Sequence, residues 1–382
     1  MREGLKWHPF LFFTKKIQRK TRPLWARPKY MKKKRILVAP LNWGLGHATR
    51  CIPIINALLA HGFLPVIASD GDALLLLKKE FPNLSTIELP SYNVTYAKNG
   101  RFFKWKLLKD SPRILKIIKA ERKAIKTIIE NNAISGIISD NRLGVYNKKV
   151  PSVIITHQLN VLSGSTTWFS TKINDEFIKK FNVCWIPDCE GDMNLSGKLG
   201  HADTFDIPTK YIGPLSRFES KPLSIVHDVL VLLSGPEPQR TLLEEKLLAT
   251  FKDYNGKVVV VKGIVEKEQV IQVMGTMTVY NFMTSALLEK TINESALIIS
   301  RSGYTTLMDL AKLNKKAFFI PTPGQFEQEY LAKRFTELEL IPSCQQDEFT
   351  LDKLAAVNDF KGLKCTGIKT DFKDLFSLFE GE

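Results

Sequence analysis

The stretch Asn42-Trp43-Gly44-Leu45-Gly46-His47-Ala48-Thr49-Arg50 brings two glycines and a histidine to one turn. The apolar run RILVAPL precedes it and the helical pattern CIPIINALLAHG follows, so it reads as a strand-to-helix turn. Gly44 and Gly46 let a ligand approach the backbone there, and the free N–H groups of a helix start favour anionic or polar oxygen. An isolated histidine is most often structural. At the C-terminal end of a parallel strand, His47 is instead a candidate general base, since its ordinary pKa of about 6.5 leaves it mostly neutral at pH 7.

A second constellation lies far along the chain. Ile298-Ile299-Ser300-Arg301 reads as a strand end, and Ser302-Gly303-Tyr304-Thr305 opens a helix whose unpaired N–H groups suit a diphosphate. Asp309, two turns into that helix, could accept hydrogen bonds from the hydroxyls of a ribose. The next strand ends in Pro321-Thr322-Pro323-Gly324, a stiff loop that would aim Gln325 and Gln328 into the same crevice, with Glu329 alongside. A further glycine turn, Ser234-Gly235-Pro236-Glu237-Pro238, follows the run DVLVLL; its two prolines remove N–H donors, and Glu237 adds negative charge.

Other readings compete for these residues. The first turn is a partial dinucleotide fingerprint, but Thr49 occupies the third glycine position, and Asp70 after the second strand reads more simply as a helix cap, as does the Asp-x-Asp it forms with Asp72. Asp140 in IISDNRLG and His157 in the sequence Thr156-His157-Gln158 end consecutive strands at the cleft edge. Acceptor contacts and plain loop capping are both open to them.

Positioning these groups requires parallel βα units. Strand-like runs at 133–140, 151–156 and 181–187 continue the first series, and runs at 256–263, 277–283, 295–303 and 315–324 continue a second, with helical stretches between. The expected fold is α/β, two Rossmann-like domains with parallel sheets facing across a cleft. The expected boundaries are a basic disordered tail or alternative start at 1–30, a first domain at 31–215, a linker at 216–226, a second domain at 227–360 and a C-terminal segment at 361–382.

Taken in order, the C-terminal motifs resemble glycosyltransferases of the two-Rossmann GT-B architecture, especially family 28 with its lipid II-forming GlcNAc transferases. The resemblance covers about residues 33–340. It implies an N-terminal acceptor domain and a C-terminal nucleotide-sugar domain, with Ser302, Gly303, Tyr304 and Thr305 on the diphosphate, Asp309 on the ribose, Gln328 and Glu329 on the sugar hydroxyls, and the loop at Phe282 and Met283 on uracil. Ser234 and Gly235 stand at the family's phosphate loop. The implied reaction is metal-independent, inverting transfer from a UDP-sugar to a hydroxyl acceptor, with no cofactor beyond that co-substrate and no metal site. Asp309 is shorter than the glutamate usual there, and Glu329 replaces a second glutamine. The first glycine turn is also similar to nucleotide-sugar hydrolases of the same architecture, in which the matching histidine serves water, so a nucleotide-sugar hydrolase or epimerase is the competing function.

Charge sharpens the partner question. The 382 residues carry a formal +16, of which residues 1–35 hold +12 and residues 98–126 hold +9, leaving the rest at −5. Such concentration argues for local attraction to an anionic surface and against a generic nucleic-acid-coating protein, with a non-catalytic anionic-surface or nucleic-acid binder as the alternative function. Arg101-Phe102-Phe103-Lys104-Trp105-Lys106 interleaves aromatic and basic residues, and Ile114, Leu115, Ile117 and Ile118 follow. Residues 101–126 are therefore either a core-facing stripe with a basic outer face or a peripheral contact with anionic membrane serving a lipid-linked acceptor. No apolar run reaches the 18 or so residues of a spanning helix. Five scattered cysteines imply reduced thiols and a cytoplasmic setting, on the inner face of the membrane if the contact forms.

Overall fold

The computed structural model describes residues 33–92, 103–162, 167–191, 194–202, 206–235, 237–363 and 370–381, with backbone alone at 103–111, 168 and 169. The expected tail at 1–30, the side chains of Phe103 and Trp105, Phe102 itself and Cys365 lie outside the described part. Lys34–Glu382 forms one compact unit built on two sheets.

The first sheet holds β1 (Arg35–Pro40), β2 (Leu64–Ser69), β3 (Ser85–Glu88), β4 (Ile134–Asp140), β5 (Ser152–Ile155), β6 (Val183–Ile186) and β7 (Thr209–Tyr211) in the order β3-β2-β1-β4-β5-β6-β7. All its pairings are parallel. The second holds β8 (His227–Leu232), β9 (Val258–Val261), β10 (Ile271–Met274), β11 (Met277–Tyr280), β12 (Ser295–Ser300) and β13 (Lys316–Phe319) in the order β10-β11-β9-β8-β12-β13. Only the β10–β11 pair is antiparallel. Helices α1 (Gly46–Ala60), α2 (Gly71–Glu80), α3 (Phe103–Asn132) and α4 (Thr167–Ile178) accompany the first sheet, and α5 (Gln239–Thr250), α6 (Ser285–Asn293), α7 (Tyr304–Leu313) and α8 (Phe326–Glu337) the second.

Continuous apolar runs follow from this layering, because a parallel sheet covered on both faces buries its strand interiors; polar residues such as Ser69, Asp140 and Ser300 fall at strand ends. Ile36, Leu37 and Val38 in β1 and Leu230 and Val231 in β8 are fully buried. In both sheets the strand order reverses beside the first strand, between β1 and β4 and between β8 and β12. A crevice opens at the carboxyl ends of strands at such a point. The turns containing Gly44 and Gly46, Asp140, Ser234 and Gly235, and Ser302 and Gly303 all leave strands that flank these reversals.

Residues 212–226, between β7 and β8, contain no helix or strand. The last helix, α9 (Phe372–Glu380), returns to the first half: Phe376 and Phe379 pack against Phe63 and Trp185. Gly136 in β4 makes this possible, since a Cβ there would collide with the Phe379 ring.

On α3, Ile118 is buried in a cluster with Leu41 and Tyr92, and Ile114 and Ile117 pack against it; Leu115 stays exposed. Three of the four aliphatic residues expected as a stripe thus face protein. Cys51 and Cys184 are buried thiols.

Candidate active site

His47 sits in the first turn of α1, with Nδ1 2.9 Å from Asp140 Oδ1 and 2.9 Å from Arg50 Nη2. Arg50 also donates from Nε to Asp140 Oδ2 at 2.6 Å, and its Nη2 contacts Oδ1 of the same carboxylate. Asp140 can only accept and needs a proton on Nδ1, whereas Arg50 can only donate and would need a lone pair there; because Arg50 Nη2 already donates to Asp140 Oδ1, we assign the Nδ1 proton to the bond with Asp140, which leaves Nε2 as the basic nitrogen. Burial lowers the His47 pKa, Asp140 opposes that and Arg50 reinforces it, so the ring is neutral at pH 7. Burial would raise the Asp140 pKa, but Arg50 and His47 outweigh it and hold the carboxyl far below its usual range.

Asp140 is completely buried, and His157 nearly so. Both side chains, read from the sequence as cleft-edge candidates for acceptor contacts or loop capping, are engaged by neighbours within the protein. Arg50 Nη1 lies 3.1 Å from His157 Nδ1, so that nitrogen accepts and Nε2 donates to Glu327 Oε1 at 3.0 Å. Glu327, from the first turn of α8, also accepts from Gln158 Nε2. Its buried carboxyl would rise, yet His157, His47 and Arg50 hold its pKa below the ordinary glutamate value. The His157 ring stacks on Tyr304, centroids 4.0 Å apart and planes within 4°.

Asn42 and Asp70 brace the same turn. Asp70 occupies the N-cap position of α2, but its carboxylate pairs with buried Arg142 and accepts from Asn42 Nδ2 at 3.2 Å rather than from the helix. Asn42 Oδ1 accepts from Ala73 N at 3.2 Å and does the capping. The expected Asp70 side-chain cap is therefore replaced by one from the preceding turn, because Arg142 is the stronger partner for a buried carboxylate.

The second half meets this network at α7. Gly303 is its N-cap, with no side-chain hydrogen bond to the helix start and open space where a Cβ would stand. Thr305 Oγ1 donates to the Gly46 carbonyl at 3.1 Å, and a Cβ on Gly46 would lie 2.9 Å from that oxygen. The starts of α1 and α7 are thus in contact, and a glycine at 46 permits it. Gly235, with φ of +102°, requires the left-handed region that glycine adopts freely. Glu237 beside it is paired with Arg240 Nε at 2.6 Å.

Other expected donor contacts are engaged within the protein. Gln328 Oε1 accepts from Thr322 N at 2.8 Å, and Glu329 Oε1 from Gly324 N at 2.7 Å, so these side chains brace the Pro-Thr-Pro-Gly loop. Ser302 Oγ donates to the Gln328 carbonyl at 2.8 Å. Gln325 is the N-cap of α8 and its side chain makes no cap bond. The Phe282 and Met283 side chains are buried in the core, and the Phe282 backbone is engaged as well, its N–H donating to Asn281 Oδ1 and its carbonyl accepting from Gln269 Nε2, both at 2.9 Å. Asp309 accepts from Ser216 Oγ at 2.6 Å; burial pushes its pKa up to about 6, against Arg217 and Ser216.

Arg50 and Glu327 did not stand out in the sequence. Arg50 carried a signal, a cation one helical turn after His47 inside an otherwise apolar helix face, where only a paired charge is tolerated. Glu327 carried none, since its partner lies 170 positions away.

Residues 238–359 match the model of the glycosyltransferase family 28 C-terminal domain. An uncharacterized glycosyltransferase of Methanopyrus kandleri is 22% identical over 321 residues, covering 77% of this chain and 87% of that protein. The glycosyltransferase SnogD from Streptomyces nogalater superposes with a TM-score of 0.55 at 12% identity, over 86% of this chain and 91% of that one. The spinosyn rhamnosyltransferase SpnG complexed with thymidine diphosphate gives 0.55 at 15% identity, over 85% and 91%. With a family 28 C-terminal domain at 238–359, a glycosyltransferase as relative over most of its length and a GT-B fold of two mostly parallel sheets, this chain is a glycosyltransferase.

Proposed function

We propose that the enzyme transfers a hexose or N-acetylhexosamine from a UDP-sugar to a hydroxyl acceptor in one inverting displacement, without a metal, and with His47 as the base. One observation carries this reading: a neutral histidine held by an ionised aspartate stands where the start of α1 touches the uncapped start of α7. Nε2 of His47 takes the acceptor's proton as its oxygen bonds to the anomeric carbon, and Asp140 steadies the imidazolium. The bond to the diphosphate breaks on the opposite face, and its growing charge is met by the N–H groups and positive end of α7. The nucleoside diphosphate in the SpnG complex supports such a donor. The preference for uracil, the inversion and the absence of a metal requirement rest on the family 28 resemblance.

The acceptor in this reading is lipid-linked, brought to the cleft by a peripheral contact of residues 101–126 with anionic membrane on its cytoplasmic face. The basic character of α3 supports it. Among the described residues, no helix is long and apolar enough to cross a membrane.

Labelled UDP-sugars, incubated with chelator and with membrane-lipid extracts or soluble alcohols, test the reaction. Sugar should pass to an acceptor only when one is present. Equal UDP release without any acceptor makes the enzyme a nucleotide-sugar hydrolase instead, and full activity on a soluble acceptor with no binding to anionic vesicles removes the membrane contact.

A further inference from the structure

We infer that Glu327, reaching across from the second half, sets the basicity of His47: it supplies the unbalanced negative charge that steadies the imidazolium formed when His47 takes the acceptor's proton. This rests on His47 being the base.

The charges around His47 can be counted element by element. Asp140 comes from the end of β4, Arg50 and Cys51 from α1, His157 from the turn after β5, Tyr304 from α7 and Glu327 from α8. Burial raises the Cys51 thiol and the Tyr304 phenol well above their ordinary ranges, so both are neutral. Arg50 and Asp140 form a buried ion pair and cancel. His157 accepts from Arg50 on Nδ1 and donates to Glu327 from Nε2, the pattern of a neutral ring.

One net negative charge remains among these groups, on Glu327; the buried Asp188 carboxylate acts on Tyr304 but accepts from Leu195 N, Ser196 N and Ser196 Oγ, away from His157. With it present, protonation of His47 brings the cluster to neutrality; without it, the same step leaves an unbalanced cation in a buried site, where charge is costly. Glu327 bonds to His157 and Gln158 and not to His47, so it acts through His157 and Arg50 as a positioning residue. It stands on α8 and His47 on α1, so the base reaches full strength only while the two halves are in contact.

Glu327→Gln tests this, because the amide keeps the size and an acceptor oxygen for His157 while removing the charge. Histidine titration by NMR on the full chain should show the His47 pKa lower by about one unit. The acid limb of kcat/KM should move down in pH by the same amount, with the plateau about three- to tenfold lower and the donor KM little changed. Glu327→Asp keeps the charge and should shift His47 less than half as far. Glu337→Gln, at the exposed end of the same helix, should shift nothing. An unmoved His47 titration in Glu327→Gln, or equal shifts in the Asp and Gln variants, overturns the inference. The base assignment itself is judged separately, by whether His47→Ala loses turnover.

Discussion

After β1, the chain packs Arg50, Asp140 and His157 around His47 and satisfies nearly every donor and acceptor among them. After β12, it opens α7 on Gly303 and leaves the helix start without a side-chain cap. Both turns stand at a reversal of strand order, and both deliver a helix N-terminus to the cleft. The first is filled with opposed charges that fix one ring, its tautomer and its protonation state. The second is left as backbone. Proton transfer needs a group of fixed pKa and orientation, whereas a diphosphate that must bind and leave is better served by N–H groups whose charge never changes.

The largest test of that division is His47→Ala. Turnover should fall about 10²–10⁴-fold while the affinity for UDP, measured by calorimetry, stays within a factor of two, because the nucleotide is assigned to the other turn. Parallel losses in both quantities would merge the two sites into one.

Gly303→Asp probes the second turn with a smaller expected effect. Gly303 has an ordinary extended conformation and free space beside it, so an aspartate fits there and can cap α7. Stability should rise by about 0.5–1 kcal/mol in denaturant unfolding, and UDP affinity should fall roughly tenfold through repulsion of the diphosphate. A gain in stability with unchanged affinity would place the diphosphate elsewhere.

Asp309→Asn is the mildest. Burial raises the Asp309 pKa to about 6 in the folded protein, against about 3.9 for an unfolded aspartate. The folded state therefore favours the neutral form, and the wild-type loses stability as pH rises from the unfolded value through 6. Relative to wild-type, the Asn variant should gain a few degrees in melting temperature at pH 8, less at pH 5 and nothing below pH 4. A pH-independent difference would mean that Asp309 is not held as the buried acid beside Ser216.

Much of the fold was legible in the residues. Runs such as ILVAP after Arg35 in β1 and VVVV in β9 are apolar because parallel sheets bury both faces, and the glycine turns mark where strands hand over to helices. Both glycine turns could be singled out because their chemistry is local: a turn, a helix start and a histidine are neighbours in the chain. The contacts of Gln328 and Glu329 were harder to read, since the same amide or carboxylate can reach a sugar or its own loop; their oxygens accept from the loop N–H groups of Thr322 and Gly324.

By itself, the sequence determined the alternating βα order, the helix starts at Gly46 and Gly303 and a histidine suited to proton transfer, all set by short-range periodicity and backbone geometry. Only the tertiary structure decided which groups own His47. Asp140 lies 93 positions away, and Glu327 reaches His157 across 170. Whether a buried carboxylate meets a guanidinium, a ring nitrogen or solvent depends on how two sheets pack, and that packing is selected by the whole apolar surface rather than by any one motif.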